Sequence, residues 1–89
     1  MRLDKFLKVS RIIKRRTLAK EVCDGGRIQI NGRPAKASSE VKAGDILELD
    51  FGQRRLRVRV VEIKENVPAA LAGQLYEILE EIKVRETTF

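Results

Sequence analysis

The sequence predicts an α+β domain: two short N-terminal helices on a small, mostly antiparallel sheet, plus a C-terminal amphipathic helix. Three observations lead there. Apolar residues recur at helical spacing through the first 23 positions. Alternating apolar residues then mark strands, with a tight-turn dipeptide between two of them. From Leu71 onward the spacing becomes helical again. At 89 residues the chain is one domain, and a chain of this size buries roughly 60–65% of its unfolded surface. Residues 1–65 are expected to form the main unit, with 66–89 a helix packed on it and a frayed tail.

Leu3, Phe6 and Leu7 lie at i, i+3 and i+4, one face of a helix over residues 2–9. Residues 10–13 connect, with Ile12 and Ile13 available to the core. A second helix starts near residues 14–17, with Leu18, Ala19, Val22 and Cys23 as its apolar positions. Gly25-Gly26 ends it, because glycine tolerates the left-handed conformation just past a helix C-terminus. Arg27-Ile28-Gln29-Ile30 alternates as a strand does. Asn31-Gly32 is a strong hairpin signal, since both central residues of a type I′ turn need positive φ. Pro34 confines the return strand to an edge or an irregular stretch. A turn at Lys42-Ala43-Gly44-Asp45 feeds a strand with Leu47, Leu49 and Phe51 on one face. After Gly52-Gln53 comes the longest strand, residues 54–64. Leu56, Val58 and Val60 point inward and Arg55, Arg57 and Arg59 outward. Val61 and Ile63 break phase, suggesting a bulge or a change of face. The arginine row is read as pairing across strands with Glu48 and Asp50, ahead of a second RNA contact. Pro68 suits a helix start, and Leu71, Leu75, Ile78, Leu79 and Ile82 form an amphipathic stripe.

Composition excludes whole classes of chemistry. There is no His, so Ser-His, Cys-His and His-metal arrangements are out. The single Cys23 can form neither an internal disulfide nor a zinc site, and it suggests a reducing compartment. The longest uncharged run has 11 residues and contains a proline, too short to span a membrane. Residues 1–5 do not read as a secretory signal. A cytoplasmic binding protein that is not an enzyme, is monomeric and has no cofactor is the expectation.

Charge is segregated. Lys and Arg number 19 against 13 Asp and Glu, a net charge of +6. Residues 1–36 hold 11 basic and three acidic side chains, so this segment alone carries +8. Such an imbalance points to a polyanion, because phosphate contacts release condensed counterions. A solvated basic face that aids solubility is the plainer alternative. Lys14, Arg15 and Arg16 crowd the start of the second helix, where cations oppose the macrodipole. A bound phosphate would relieve that repulsion and use the unpaired amides. Lys20 lies one turn beyond Arg16. Arg2 and Lys5 lie beside them on the first helix. Asp4 either orients Arg2 or Arg16 or serves as a helix-start acid. Aromatic residues are too few for a single-strand stacking platform, which favours a structured duplex or junction.

The order of these pieces resembles a known family. Arg2-Leu3-Asp4-Lys5-Phe6-Leu7, the run Lys14 to Lys20, Gly25-Gly26-Arg27-Ile28, Ile30-Asn31-Gly32 and Val41-Lys42-Ala43-Gly44-Asp45 match the alpha-L, or S-four-type, RNA-binding motif. The match spans residues 2–50. Among stand-alone bacterial members the chain is most similar to the RqcP (YabO) family, and more distantly to the fifteen-kilodalton heat-shock protein. The resemblance implies binding to rRNA of the large ribosomal subunit when a peptidyl-tRNA obstructs it. It also implies support of RqcH-dependent alanine tailing of the stalled chain. The residues it implies as RNA-binding are Arg2, Asp4 and Arg16, with Lys5, Lys14, Arg15 and Lys20 as neighbours. Pseudouridine synthases carry the same motif, but 89 residues leave no room for their catalytic domain. A general RNA-binding accessory protein or a DNA-binding regulator are the other readings.

Overall fold

The computed structural model describes residues 1–83. Along the chain run α1 (Leu3–Val9), α2 (Arg16–Asp24), β1 (Ile28–Ile30), β2 (Arg33–Pro34), β3 (Ile46–Asp50) and β4 (Arg54–Val60). A 3-10 helix (Ala69–Leu75) and β5 (Tyr76–Lys83) follow. The five strands form one sheet in the order β2-β1-β3-β4-β5, with every neighbouring pair antiparallel. The α+β class and the two opening helices are as the spacing predicts.

The core lies between the sheet and the two helices. Leu3, Phe6 and Leu7 of α1 and Ala19 and Cys23 of α2 are fully buried with Ile28, Leu47, Leu49, Val58 and Val60. Each large apolar side chain buried there contributes roughly 1.5–3 kcal/mol. Strand alternation is clean in β4: Leu56, Val58 and Val60 are buried, and Arg55, Arg57 and Arg59 are exposed. Leu18 departs from expectation, since it is 49% exposed. One residue step turns a helix by about 100°, so a stripe centred on Ala19 and Cys23 leaves Leu18 outside it.

Two local devices fix the N-terminal half. The Asn31-Gly32 turn has φ of 52° and 79°, the pair that a type I′ hairpin requires. The Asn31 side chain then ties this turn to the next strand. Its Oδ1 accepts the Ile46 N–H at 2.9 Å, and its Nδ2 donates to Asp45 at 3.1 Å. The second device anchors the start of α1. The Leu3 and Asp4 N–H groups donate to the Ser39 and Ala37 carbonyls, and Val41 N–H donates to the Met1 carbonyl. The 37–41 segment therefore caps α1 and holds Arg2 in place beside Glu40.

The C-terminal segment corrects the sequence reading. Among the described residues no amphipathic α-helix packs on the sheet after Pro68. The 3-10 helix ends at Leu75, and Tyr76 opens a strand that pairs with β4 along its length. The register slips between Arg57 and Val58, so β5 carries one extra residue, Leu79, without a partner. A bulge of this kind shifts a period-2 pattern by one position, and the apolar residues then fall at helix-like intervals. Leu75 is buried as the stripe predicts, but Ile78, Leu79 and Ile82 are 50%, 43% and 46% exposed. The phase break at Val61 is the end of β4, where the Val61 and Glu62 N–H groups both donate to the Leu75 carbonyl. The frayed tail expected over Glu86–Phe89 lies outside the described residues.

Candidate nucleic-acid interface

Asp4 organises the basic surface. It sits in the first turn of α1 with its side chain only 4% exposed, and two guanidiniums converge on it. Arg2 Nε lies 3.2 Å from Oδ1, and Arg16 Nε lies 3.5 Å from Oδ2. Oδ1 also accepts the Lys5 N–H at 2.8 Å. Arg2 precedes α1 and Arg16 opens α2, so one buried carboxylate joins the starts of both helices. Both arginine side chains remain about half exposed, at 52% and 49%. Each guanidinium has five N–H donors, so using one or two on Asp4 leaves others facing outward. The Asp4 carboxylate itself is held almost wholly out of solvent. Asp4 thus meets both arginines, and it also stands as an acid in the first turn of α1 and accepts one of its amides, so both readings of its role are present in the geometry.

The other expected contacts divide into two groups. Lys14, Arg15 and Lys20 are exposed, and among the described residues no carboxylate lies within ion-pairing distance of them. Lys14 and Arg15 adjoin Arg16, and Lys20 follows it by one turn. Lys5 differs, since its ammonium is ion-paired with Glu65 and partly covered. That contact holds the Glu65 carboxyl below its usual range through the hydrogen bond and charge of Lys5.

The helix ends add a second donor set. The first amides of α1 are taken by the 37–41 segment. Arg15, the N-cap of α2, supplies no side-chain acceptor, and α2 has no acid in its first turn. Among the described residues the Arg16, Thr17 and Leu18 N–H groups have no protein acceptor. Unpaired amides with the positive end of the dipole favour an anion there.

The arginine row of β4 is neutralised. Arg55 pairs with Asp50 at 3.9 Å, Arg57 with Glu80 at 3.1 Å, and Arg59 with Glu77. Pairing across strands is as expected, but two of the three partners come from β5 rather than from Glu48 and Asp50. Cys23 is buried and its thiol is pushed up to about 12, first by desolvation and then by Asp4 and Asp24. A neutral, enclosed thiol is neither nucleophile nor metal ligand. Among the described residues no group of three His, Cys, Asp or Glu could hold a metal ion. None of the described helices is long and apolar enough to cross a membrane. Two features were not legible in the sequence: the capture of Lys5 by Glu65, and the left-handed backbone of Arg11, with φ of 59°.

Residues 1–47 match the S4 domain, which covers both helices, the hairpin and the start of β3. The chain belongs to the S4 domain family. A Bacillus subtilis protein named RQC P-site tRNA stabilizing factor is 60% identical over 97% of this chain and the whole of its own length. The trimeric structure of Vibrio cholerae heat shock protein 15 aligns with a TM-score of 0.80 and 34% identity, over 88% of this chain and 80% of that one. The solution structure of the hypothetical protein HP1423 aligns with a TM-score of 0.76 and 36% identity, over 90% and 98%. The S4 domain thus contains every residue expected to touch RNA. Both structural relatives align beyond the length of that domain, since they cover 88% and 90% of this chain.

Proposed function

We propose that this protein is a ribosome quality control factor that binds rRNA and tRNA on large ribosomal subunits obstructed by peptidyl-tRNA. The observation that carries this reading is the Arg2–Asp4–Arg16 cluster, flanked by Lys14, Arg15 and Lys20 and by the uncapped start of α2. It is a rigid, cationic surface with donors in fixed positions and little aromatic area. A-form RNA hides its base edges and displays phosphates and 2′-hydroxyls, which are acceptors such a surface can reach without reading sequence. The guanidiniums of Arg2 and Arg16 suit paired contacts to phosphate oxygens. The amides of α2 supply a further anion cradle. The relative named as stabilizing P-site tRNA, similar along nearly the whole chain, supports the ribosomal setting.

The protein works in the cytoplasm as a single copy, by binding rather than by catalysis. It holds the tRNA while RqcH extends the stalled chain with alanine. The test is sedimentation of the tagged protein with ribosomal particles. Wild type cosediments with large subunits that retain peptidyl-tRNA. Arg16→Ala, folded by circular dichroism, loses roughly tenfold or more in affinity, the scale of a charged hydrogen bond. Recovery with small subunits, or with no rRNA, would contradict the reading.

A further inference from the structure

The structure assigns Arg11, in the turn between α1 and α2, as a phosphate-binding residue that the chain carries at a cost to its own backbone. The assignment rests on the RNA-binding reading above and extends it to the turn past the C-terminal end of α1. Val9 ends α1, Ser10 is its C-cap, and Arg11 follows with φ of 59°. The Arg11 N–H donates to the Lys8 carbonyl at 3.0 Å, and the Ile13 N–H reaches back to the Leu7 carbonyl at 3.1 Å. Closing a helix this way calls for a left-handed residue just past the cap. Glycine takes that conformation without a Cβ clash, and asparagine takes it with local help.

The other described residues obey that rule. Six described residues have positive φ: Gly26, Gly32, Gly44, Gly52, Asn31 and Arg11. Among the described residues Arg11 is the sole departure. A sparsely populated conformation in a residue unsuited to it persists where the side chain is needed.

Folding supplies no evident need. Arg11 is exposed, and among the described residues its side chain has no hydrogen-bond or ion-pair partner. Its neighbours anchor the turn instead. Ser10 is 1% exposed with its hydroxyl donating to the Leu7 carbonyl, Ile12 packs against the core and Ile13 is buried. Arg11 thus stands on a fixed turn between Lys8 and the Lys14-Arg15 pair, all of them exposed. A cation past a helix C-terminus gains a little from the dipole, but Lys8 in the last turn of α1 already supplies one. Polyanion binding accounts for both the residue type and the position.

The test sets stability against binding in one substitution. Arg11→Gly relieves the backbone, so its melting temperature should equal or exceed that of wild type. Its affinity for large subunits carrying peptidyl-tRNA should fall about five- to tenfold near 150 mM salt, with the log–log salt slope flatter by about one. Arg11→Lys keeps the charge and should retain most of the affinity. If Arg11→Gly binds as wild type while Arg16→Ala does not, the Arg11 assignment is wrong and the surface stands. If neither substitution matters, the RNA surface itself is misplaced. A melting temperature for Arg11→Gly well below wild type would also overturn the assignment, because the side chain would then serve the fold.

Discussion

Asp4 places one carboxylate between two guanidiniums, and electrostatics alone misjudges its effect on binding. Removing an acid from a basic surface strengthens attraction for a polyanion by Coulomb's law. The geometry predicts the opposite. Without the carboxylate charge, Arg2 and Arg16 repel each other and lose their fixed positions, and an amide N–H₂ replaces one of the two oxygens that face them. Asp4→Asn should therefore weaken binding to large subunits several-fold. It should also destabilise the fold by about 1–3 kcal/mol in urea titrations, the scale of a buried hydrogen-bonding group losing its partners. Tighter binding by Asp4→Asn would show that the carboxylate is only a stray negative charge. At this scale the sequence was partly legible. Asp4 beside Arg2 in a helix start suggests an orienting acid, but burial and the reach of Arg16 from the second helix depend on tertiary packing. The pairing of Lys5 with Glu65 was illegible for the same reason, since 60 residues separate them.

Among the elements, β5 shows where periodicity misleads. Ile78 and Ile82 are four apart, as on a helix, yet they face opposite sides of a bulged strand opposite Val58 and Arg55. A legible counter-signal lay in the charges. Glu77 and Glu80 can pair with Arg59 and Arg57 only if the segment runs antiparallel to β4, as it does. The hairpin and both opening helices were legible because local chemistry dictates them: Asn31-Gly32 for the turn and Gly25-Gly26 for the stop. The segment from Leu75, the last residue of the 3-10 helix, through β5 predicts an uneven response to truncation of its apolar side chains. Leu75→Ala, at 1% exposure, should cost about 2–4 kcal/mol, whereas Ile78→Ala, half exposed, should cost less than about 1 kcal/mol. A packed amphipathic helix would make the two costs similar, and chemical denaturation of both variants distinguishes the cases.

Across the whole molecule, charge is divided between two surfaces with different fates. The sheet pairs Arg55, Arg57 and Arg59 with its own acids, while α2 and the residues that lead into it keep Lys14, Arg15 and Lys20 without acidic partners among the described residues. The sequence revealed the +8 imbalance of residues 1–36 but not which cations stay unpaired, because pairing is settled by sheet register and loop position. The central claim is that this unpaired set, with Arg2 and Arg16, binds folded RNA through its phosphates. The measurement that tests it most directly is the salt dependence of affinity for large subunits carrying peptidyl-tRNA. Wild type is compared with the full-length Lys14→Ala, Arg15→Ala, Lys20→Ala triple variant. Five or six phosphate contacts give wild type a log–log slope of roughly −4 to −5, and the triple variant should be flatter by roughly 2 to 3 with the fold intact. An unchanged slope and affinity in the folded variant would place the RNA elsewhere on the protein.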